Sequence, residues 1–237
     1  MTSIWAIKMS YFFKRLFSLR ERPGIRLIVF DFDGTLADTR ELLLGIIKKH
    51  LMKFNISLTG SLIKVFGNAP LRDYISLTGI RNDFVKSVAK SIEDDFILEY
   101  ERIKSANNIE ILKNIKCVKI IVSNNCTEFI ERVLENWRID FFDEVYGADH
   151  FTDKVKAIKH LAKKHKISME EIVYVGDKDK DVSVARESGC YSVIVSNKIA
   201  WSSKKDVEKM KPDFLINDLS GLTKVIQHIN MSEISSI

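Results

Sequence analysis

Three clusters of polar residues, each directly behind an apolar run, carry the side chains that could do chemistry. Asp31 and Asp33 follow the run Leu-Ile-Val-Phe at 27–30. Ser123-Asn124-Asn125 follows the run at 117–122, and Gly176-Asp177, with Asp181, follows the run at 172–175. If those runs are strands of one open parallel sheet, the clusters meet beyond its carboxyl edge, where such sheets bind ligands. Carboxylates converging there repel one another and lose hydration, so a cation must neutralise them. Hard oxygen ligands, with no histidine at these positions, point to Mg²⁺. A divalent cation beside an aspartate, with a hydroxyl and backbone amides at the next strand end, suits a phosphoryl group. The cation and a lysine balance its charge, Ser123 and N–H groups hold its oxygens, and Asp31 attacks in line. Asp31 and Asp33 stand at i and i+2 and point to the same side. One can therefore bind metal and attack while the other serves the leaving group. Gly34 lets the chain turn where a Cβ would obstruct it.

The elements that must position these residues are legible as two rhythms. A buried strand is expected at 26–30. From 117 onward short apolar runs alternate with helical periodicity. Strands are expected at Cys117–Val122, Glu144–Tyr146, Ile172–Val175, Tyr191–Val195 and Phe214–Ile216. Helices are expected at Thr127–Asn136, Lys154–Lys164, Val182–Ser188, Ser203–Met210 and Leu219–Ile229. This is the pattern of βαβ units and a doubly wound, Rossmann-like parallel sheet covered on both faces. Between residues 39 and 112 no strand is expected. Apolar residues recur at helical spacing (Leu43, Ile46, Ile47, Leu51; Leu62, Val65, Phe66; Val85, Val88, Ile92, Phe96), broken at Asn55, near Gly67-Asn68-Ala69-Pro70 and at Gly79. The reading is an α/β core at 25–38 and 113–237, an inserted α-helical cap at 39–112, and an extension at 1–24.

Composition narrows the class. A hydrophobic fraction of 46% with 29% charged residues is ordinary for a globular chain, and only 10 Gly and 3 Pro argue against linker-rich or low-complexity structure. No apolar run reaches the ~18 residues of a membrane span. Cys117, Cys126 and Cys190 form no CxxC pair, which suggests a reducing, cytoplasmic compartment and no structural zinc. Residues 1–26 hold Lys8, Lys14, Arg15, Arg20, Arg22 and Arg26 against Glu21 alone, so the formal excess of +5 sits there and the body is balanced. A nucleic-acid partner thus gains no electrostatic support from the body. The extension also carries Trp5, Tyr11, Phe12, Phe13 and Phe17. It reads as a tail packed on its own domain, as sequence ahead of a true start at Met9 or later, or, least favoured, as a membrane or partner contact.

The strings Asp31-Phe32-Asp33-Gly34-Thr35-Leu36-Ala37-Asp38-Thr39, Val122-Ser123-Asn124 and Val175-Gly176-Asp177-Lys178-Asp179-Lys180-Asp181 resemble the signature motifs of the haloacid dehalogenase superfamily, in its phosphoglycolate-phosphatase-like branch with a helical cap. The resemblance spans about residues 26–229. It implies that Asp31 is the nucleophile, forming an aspartyl-phosphate, and a Mg²⁺ ligand. Asp33 would be the general acid/base and lend its carbonyl to the metal. Ser123, with Asn124, Gly34 and Thr35, would meet the substrate's phosphoryl group. Asp177 would ligate Mg²⁺, and Asp181 would ligate through water or orient the site. The acid at position 33 marks a phosphatase or phosphomutase, because an alkoxide leaving group needs a proton and a halide does not. The third motif departs from the branch's usual Lys-Pro: here it is Asp153-Lys154-Val155-Lys156, with Lys154 chosen as the charge-balancing lysine and Lys156 as runner-up.

Plainer readings stand beside these. Ser123 could cap the following helix, Asp177 and Asp181 could be turn and first-turn acids, and Lys154 could belong to a solvated face with Lys156, Lys159, Lys163 and Lys164. Asp179 reads as exposed. Arg72 could meet an anionic substrate from the cap, or lie on a surface turn. The function expected is Mg²⁺-dependent hydrolysis of a small phosphorylated metabolite. The alternatives are a phosphomutase acting on a sugar phosphate and a non-catalytic phosphate-binding protein. Phosphoglycolate, a pyrophosphate, a nucleotide and a sugar phosphate all remain open as substrates.

Overall fold

The structure is a computed structural model and describes residues 24–65 and 71–234. The expected reading of residues 1–24 therefore lies, but for Gly24, outside the described residues, as does Phe66–Pro70. A six-stranded parallel sheet has the order β5(Glu144–Tyr146), β4(Val118–Val122), β1(Leu27–Phe30), β6(Ile172–Gly176), β7(Tyr191–Val195), β8(Phe214–Ile216). The first strand in sequence is thus central, which suits its wholly buried Leu-Ile-Val-Phe. A strand covered on both faces needs a continuous apolar run rather than an alternating one.

Alternate residues of each strand feed opposite layers. Ile28, Phe30, Ile121, Val173 and Val175 pack with Phe129, Ile130 and Val133 of α5(Thr127–Asn136) and Leu222, Val225 and Ile229 of α9(Gly221–Ile234). Leu27, Val29, Ile120, Ile172 and Tyr174 pack with Ala157, Ile158 and Leu161 of α6(Lys154–His165) and with Val184 and Ala185 of α7(Asp179–Ser188). A further helix, α8(Lys204–Met210), places Val207 on Val182 and Ile194. The doubly wound α/β core is therefore present. The register sets Phe30 beside both Ile121 and Val175, so the chain segments that leave these strands emerge together.

After β1 a tight turn leads to β2(Ala37–Asp38). The chain then leaves the sheet as α1(Arg40–Met52), α2(Gly60–Val65), α3(Leu71–Ser76) and α4(Asn82–Leu98). Asn55 and Gly79, both at positive φ, supply two of the breaks between these helices. One expectation is corrected here. The segment returns through a strand, β3(Lys104–Ser105), antiparallel to β2, with Ala37 opposite Ser105 and Asp38 opposite Lys104. Two residues are too few for alternation to register in a sequence. Three helices also run longer than expected, α6 by one residue, to His165. α7 begins at Asp179 rather than Val182, since Asp181 accepts from the Lys178 N–H at the helix start, and α9 continues to Ile234.

The cap is welded to the core by aromatic contacts. Phe96 of α4 lies 4.7 Å from the Phe129 ring, and the Trp137 indole donates to the Ile103 carbonyl at 2.8 Å. Phe32, between the two motif aspartates, faces away from them. It stacks on Trp137 at 6.0 Å and meets the edge of Phe129 at 6.4 Å. Among the described residues no helix is long and apolar enough to cross a membrane.

Phe32 is fully buried, so Phe32→Ala removes a ring from a packed layer and should cost about 3–5 kcal/mol. Leu98→Ala, at a position 77% exposed, should change stability by about 0.5 kcal/mol or less. Urea denaturation of both variants tests the contrast; equal losses would show that Phe32 is not an anchor.

Candidate active site

Four of the motif aspartates, Asp31, Asp33, Asp177 and Asp181, follow two adjacent strand ends. Asp31 continues β1, its N–H donating to the Val175 carbonyl at 2.8 Å, and Asp177 continues β6. Carboxylate oxygens of Asp31, Asp177 and Asp181, all buried, lie within 4.8 Å of one another. Asp33 is half-buried, and its Oδ2 accepts from the side-chain amide of Asn125 at 2.7 Å. The structure thus gathers these four residues. Asp181 is held from several sides: Oδ2 accepts from the N–H groups of Asp177 and Lys178 (3.0 and 2.9 Å), and Oδ1 accepts from the Tyr174 hydroxyl (3.0 Å). A Cβ on Gly176 would strike the Asp181 carboxylate.

Two lysines enter the cluster. Lys154, at the start of α6, places Nζ 2.8 Å from Asp31 Oδ1 and donates to the Tyr174 hydroxyl at 3.1 Å. Lys156 is exposed, and its backbone N–H serves the Asp153 cap instead. Of the two candidates from the third motif, only Lys154 reaches the carboxylates. The second lysine, Lys178, had no expected role. It is 6% exposed and holds Nζ 3.5 Å from Asp31 Oδ2 and 5.9 Å from the centre of the Trp201 ring.

These charges set the protonation states. Burial alone would raise the Asp31 carboxyl, but the ammonium groups of Lys154 and Lys178, with hydrogen bonds from Lys154 and the Phe32 N–H, hold it below the usual carboxylate range. Asp33 is shifted the other way. Burial pushes it up, and the Asp31 charge adds to that, while Lys178, Thr39 and Asn125 offset it only in part. Asp177 lies well above the usual range because burial, with Asp181 and Asp31 nearby, outweighs the pull of Lys178. Lys178 itself is desolvated, yet its neighbouring carboxylates hold it charged and raise its pKa. Burial and the same carboxylates push the Tyr174 hydroxyl up, so it stays a neutral donor. Buried carboxylate oxygens that raise one another's pKa form a hard, electron-rich donor set, and that fits a hard divalent cation.

Ser123, behind β4, is buried. Its N–H donates to Tyr146, and its hydroxyl accepts from the Asn125 N–H at 3.2 Å. Asn124 is exposed at a cleft of about 440 Å³ between cap and core, which Asn125, Arg72, Lys90, Phe96 and Phe129 also line. Gly34 and Thr35 sit in the turn that follows Asp33. Their N–H groups are bonded within the turn, to Ala37 and Phe32, and the Thr35 hydroxyl donates to Asp177 Oδ1 at 3.3 Å. Both support the acidic cluster from behind. Asp179 is half-exposed rather than exposed, accepting from the Ser202 hydroxyl at 2.9 Å. Asn125, Tyr174, Lys178 and Trp201, whose N–H donates to Asp177 Oδ2 at 2.5 Å, complete the surroundings.

Comparison with known proteins adds to this geometry. The family described as haloacid dehalogenase-like hydrolase matches residues 28–195. A phosphoglycolate phosphatase of Vibrio cholerae is 32% identical over 110 residues, 45% of this chain and 48% of that one. One from Vibrio parahaemolyticus is 24% identical over 86% of this chain and 97% of its own. The pyrophosphatase PpaX of Listeria welshimeri is also 24% identical, over 86% and 97%. A solved haloacid dehalogenase-like hydrolase from Streptococcus pneumoniae superposes with a TM-score of 0.73 at 20% identity, covering 85% of this chain and 98% of that one. At that identity the likeness is one of fold.

Two glycines at positive φ separate backbone strain from crowding. A Cβ at Gly34 (φ 79°) would strike the Asp177 carboxylate and, at 2.5 Å, the Trp201 ring, whereas one at Gly79 (φ 84°) meets nothing within 4 Å. Gly79→Ala should therefore cost about 1–2 kcal/mol from the backbone alone. Gly34→Ala should cost more and displace Asp177. Chemical denaturation of the two variants measures the difference; equal losses would refute the close packing at Gly34.

Proposed function

Because this chain belongs to the haloacid dehalogenase-like hydrolase family, we propose that it is a Mg²⁺-dependent phosphatase, hydrolysing a small phosphate monoester through a phosphorylated Asp31. The observation that carries this reading is the opposed pair Asp31 and Asp33. Asp31 lies 2.8 and 3.5 Å from the ammonium groups of Lys154 and Lys178, which lower its pKa, and burial raises that of Asp33, whose Oδ2 accepts from Asn125 at 2.7 Å. Neighbouring carboxyls pushed apart in this way suit a nucleophile and a general acid.

In this scheme an oxygen of Asp31 attacks phosphorus, and the bond from phosphorus to the ester oxygen breaks. Asp33 gives its proton to that departing oxygen, which leaves as an alcohol. The Asp33 carboxylate then takes a proton from water as the water attacks phosphorus. Inorganic phosphate leaves, and Asp31 is restored as a carboxylate. Asn125 holds Asp33 toward the cleft, Lys154 balances charge beside Asp31, and Ser123 and Asn124 border the place of the phosphoryl group. Asp31 and Asp177, supported by Asp181 and Thr35, would hold the Mg²⁺, which supplies charge neutralisation for phosphoryl oxygens when bound.

The relatives named above act on phosphoglycolate or pyrophosphate by their names, so both belong in a substrate panel with nucleotides and sugar phosphates. The cleft, with Arg72 and Lys90 on the cap side, suits a compact anionic substrate. A cytoplasmic setting fits this chemistry.

Phosphate release from that panel should require Mg²⁺ and stop with EDTA. Asp31→Asn should lower turnover by about 10³-fold or more while leaving the circular dichroism spectrum unchanged. Turnover near wild type in Asp31→Asn, or release undiminished by EDTA, would overturn the scheme.

A further inference from the structure

The two lysines of the cluster are held very differently. Lys154 is pinned: its ammonium contacts Asp31 Oδ1 at 2.8 Å, the Tyr174 hydroxyl at 3.1 Å and Asp181 at 3.9 Å. The Lys178 ammonium has a single hydrogen-bond partner among the described residues, Asp31 Oδ2, at a long 3.5 Å. Asp31 Oδ1 is already taken, by Lys154 and by the Phe32 N–H at 2.7 Å. Oδ2 is therefore the oxygen open to a cation, and the Lys178 ammonium stands at it. Its side chain is only 8% exposed, with the Trp201 ring alongside.

Charge counting sharpens the point. Asp31, Asp33, Asp177 and Asp181 face two ammonium groups, leaving an excess of two negative charges if all are ionised. A divalent cation would close that balance, but only by settling among the oxygens Lys178 already approaches. Two cations crowded onto one carboxylate repel strongly in a buried site. The weakly tied one, on a flexible four-carbon stem, is the one that yields.

We propose that Lys178 is a tethered counter-ion that competes with the divalent cation for Asp31 and withdraws from it when metal enters. The inference rests on the reading that Asp31 and Asp177 hold the metal. Its consequences are a metal affinity lower than the carboxylates alone would give and a cluster that stays assembled without metal.

The test measures Mn²⁺ binding to the full chain by the loss of the free-ion electron paramagnetic resonance signal. Lys178→Met should bind Mn²⁺ about tenfold more tightly than wild type, equivalent to about 1.4 kcal/mol. Lys178→Arg, which keeps the charge, should not tighten binding. Thermal unfolding gives a second readout should Lys178→Met fold poorly without metal: saturating Mn²⁺ should raise its Tm more than it raises that of wild type. Equal or weaker affinity in Lys178→Met, with wild type still binding, would overturn the competition alone. Absence of binding in wild type and variant alike would overturn the metal site and the competition together.

Discussion

Everything at the sheet edge answers to one constraint: four carboxyl groups share a small, largely dry volume. In water they would ignore one another; here each raises the cost of ionising the next. The structure meets this with cations, Lys154 and Lys178, and with directed hydrogen bonds from the Asp177, Lys178, Phe32 and Trp201 backbones and from Tyr174, Thr35 and Asn125. The result is unequal proton affinity among like groups, with Asp31 shifted down and Asp33 and Asp177 shifted up. That inequality is what a reaction needing both a nucleophile and an acid can use.

Holding such a cluster requires rigid supports, and these are the parallel sheet and the Phe32 anchor. In-register pairing fixes where β1 and β6 end, so Asp31 and Asp177 cannot drift apart without breaking the central ladder. Phe32 locks the intervening residue of the Asp-Phe-Asp string into the layer formed with Phe129 and Trp137. The same layer receives Phe96 from the cap. The cap and the turn that carries Asp31 and Asp33 thus rest on one apolar block, which couples the roof of the cleft to its floor.

Much of this was legible because it rests on strong local signals. Strands Glu144–Tyr146, Tyr191–Val195 and Phe214–Ile216 and helix Thr127–Asn136 fall where run length and periodicity place them. The aspartates stand at strand ends that the apolar runs announce. What sequence reasoning missed depends on side-chain direction in short irregular segments. Lys178 lies between two aspartates in a string of alternating charge, which reads as solvated surface; only the extended backbone just before α7 turns it inward. Tyr174 reads as one more apolar strand residue, because nothing local shows that its hydroxyl ends beside Asp181. Asn125 follows two residues of similar type, and the turn decides which of them reaches Asp33. The strand Lys104–Ser105 exists only because Ala37–Asp38 lies across from it.

The placement of the cap between β1 and β4 also bears on how the chain comes to be folded. The central strand pairs on both sides with segments from far later in the sequence, β4 and β6. A chain made from its amino end therefore presents its most apolar strand, Leu27–Phe30, before either neighbour exists. The helices of the cap have local contacts and form quickly, while the sheet must wait for long loops to close. During that interval the strand is an open edge on both sides, the kind of surface through which partly folded chains associate. The same topology that centres Asp31 in the finished sheet makes its own strand wait longest for its neighbours.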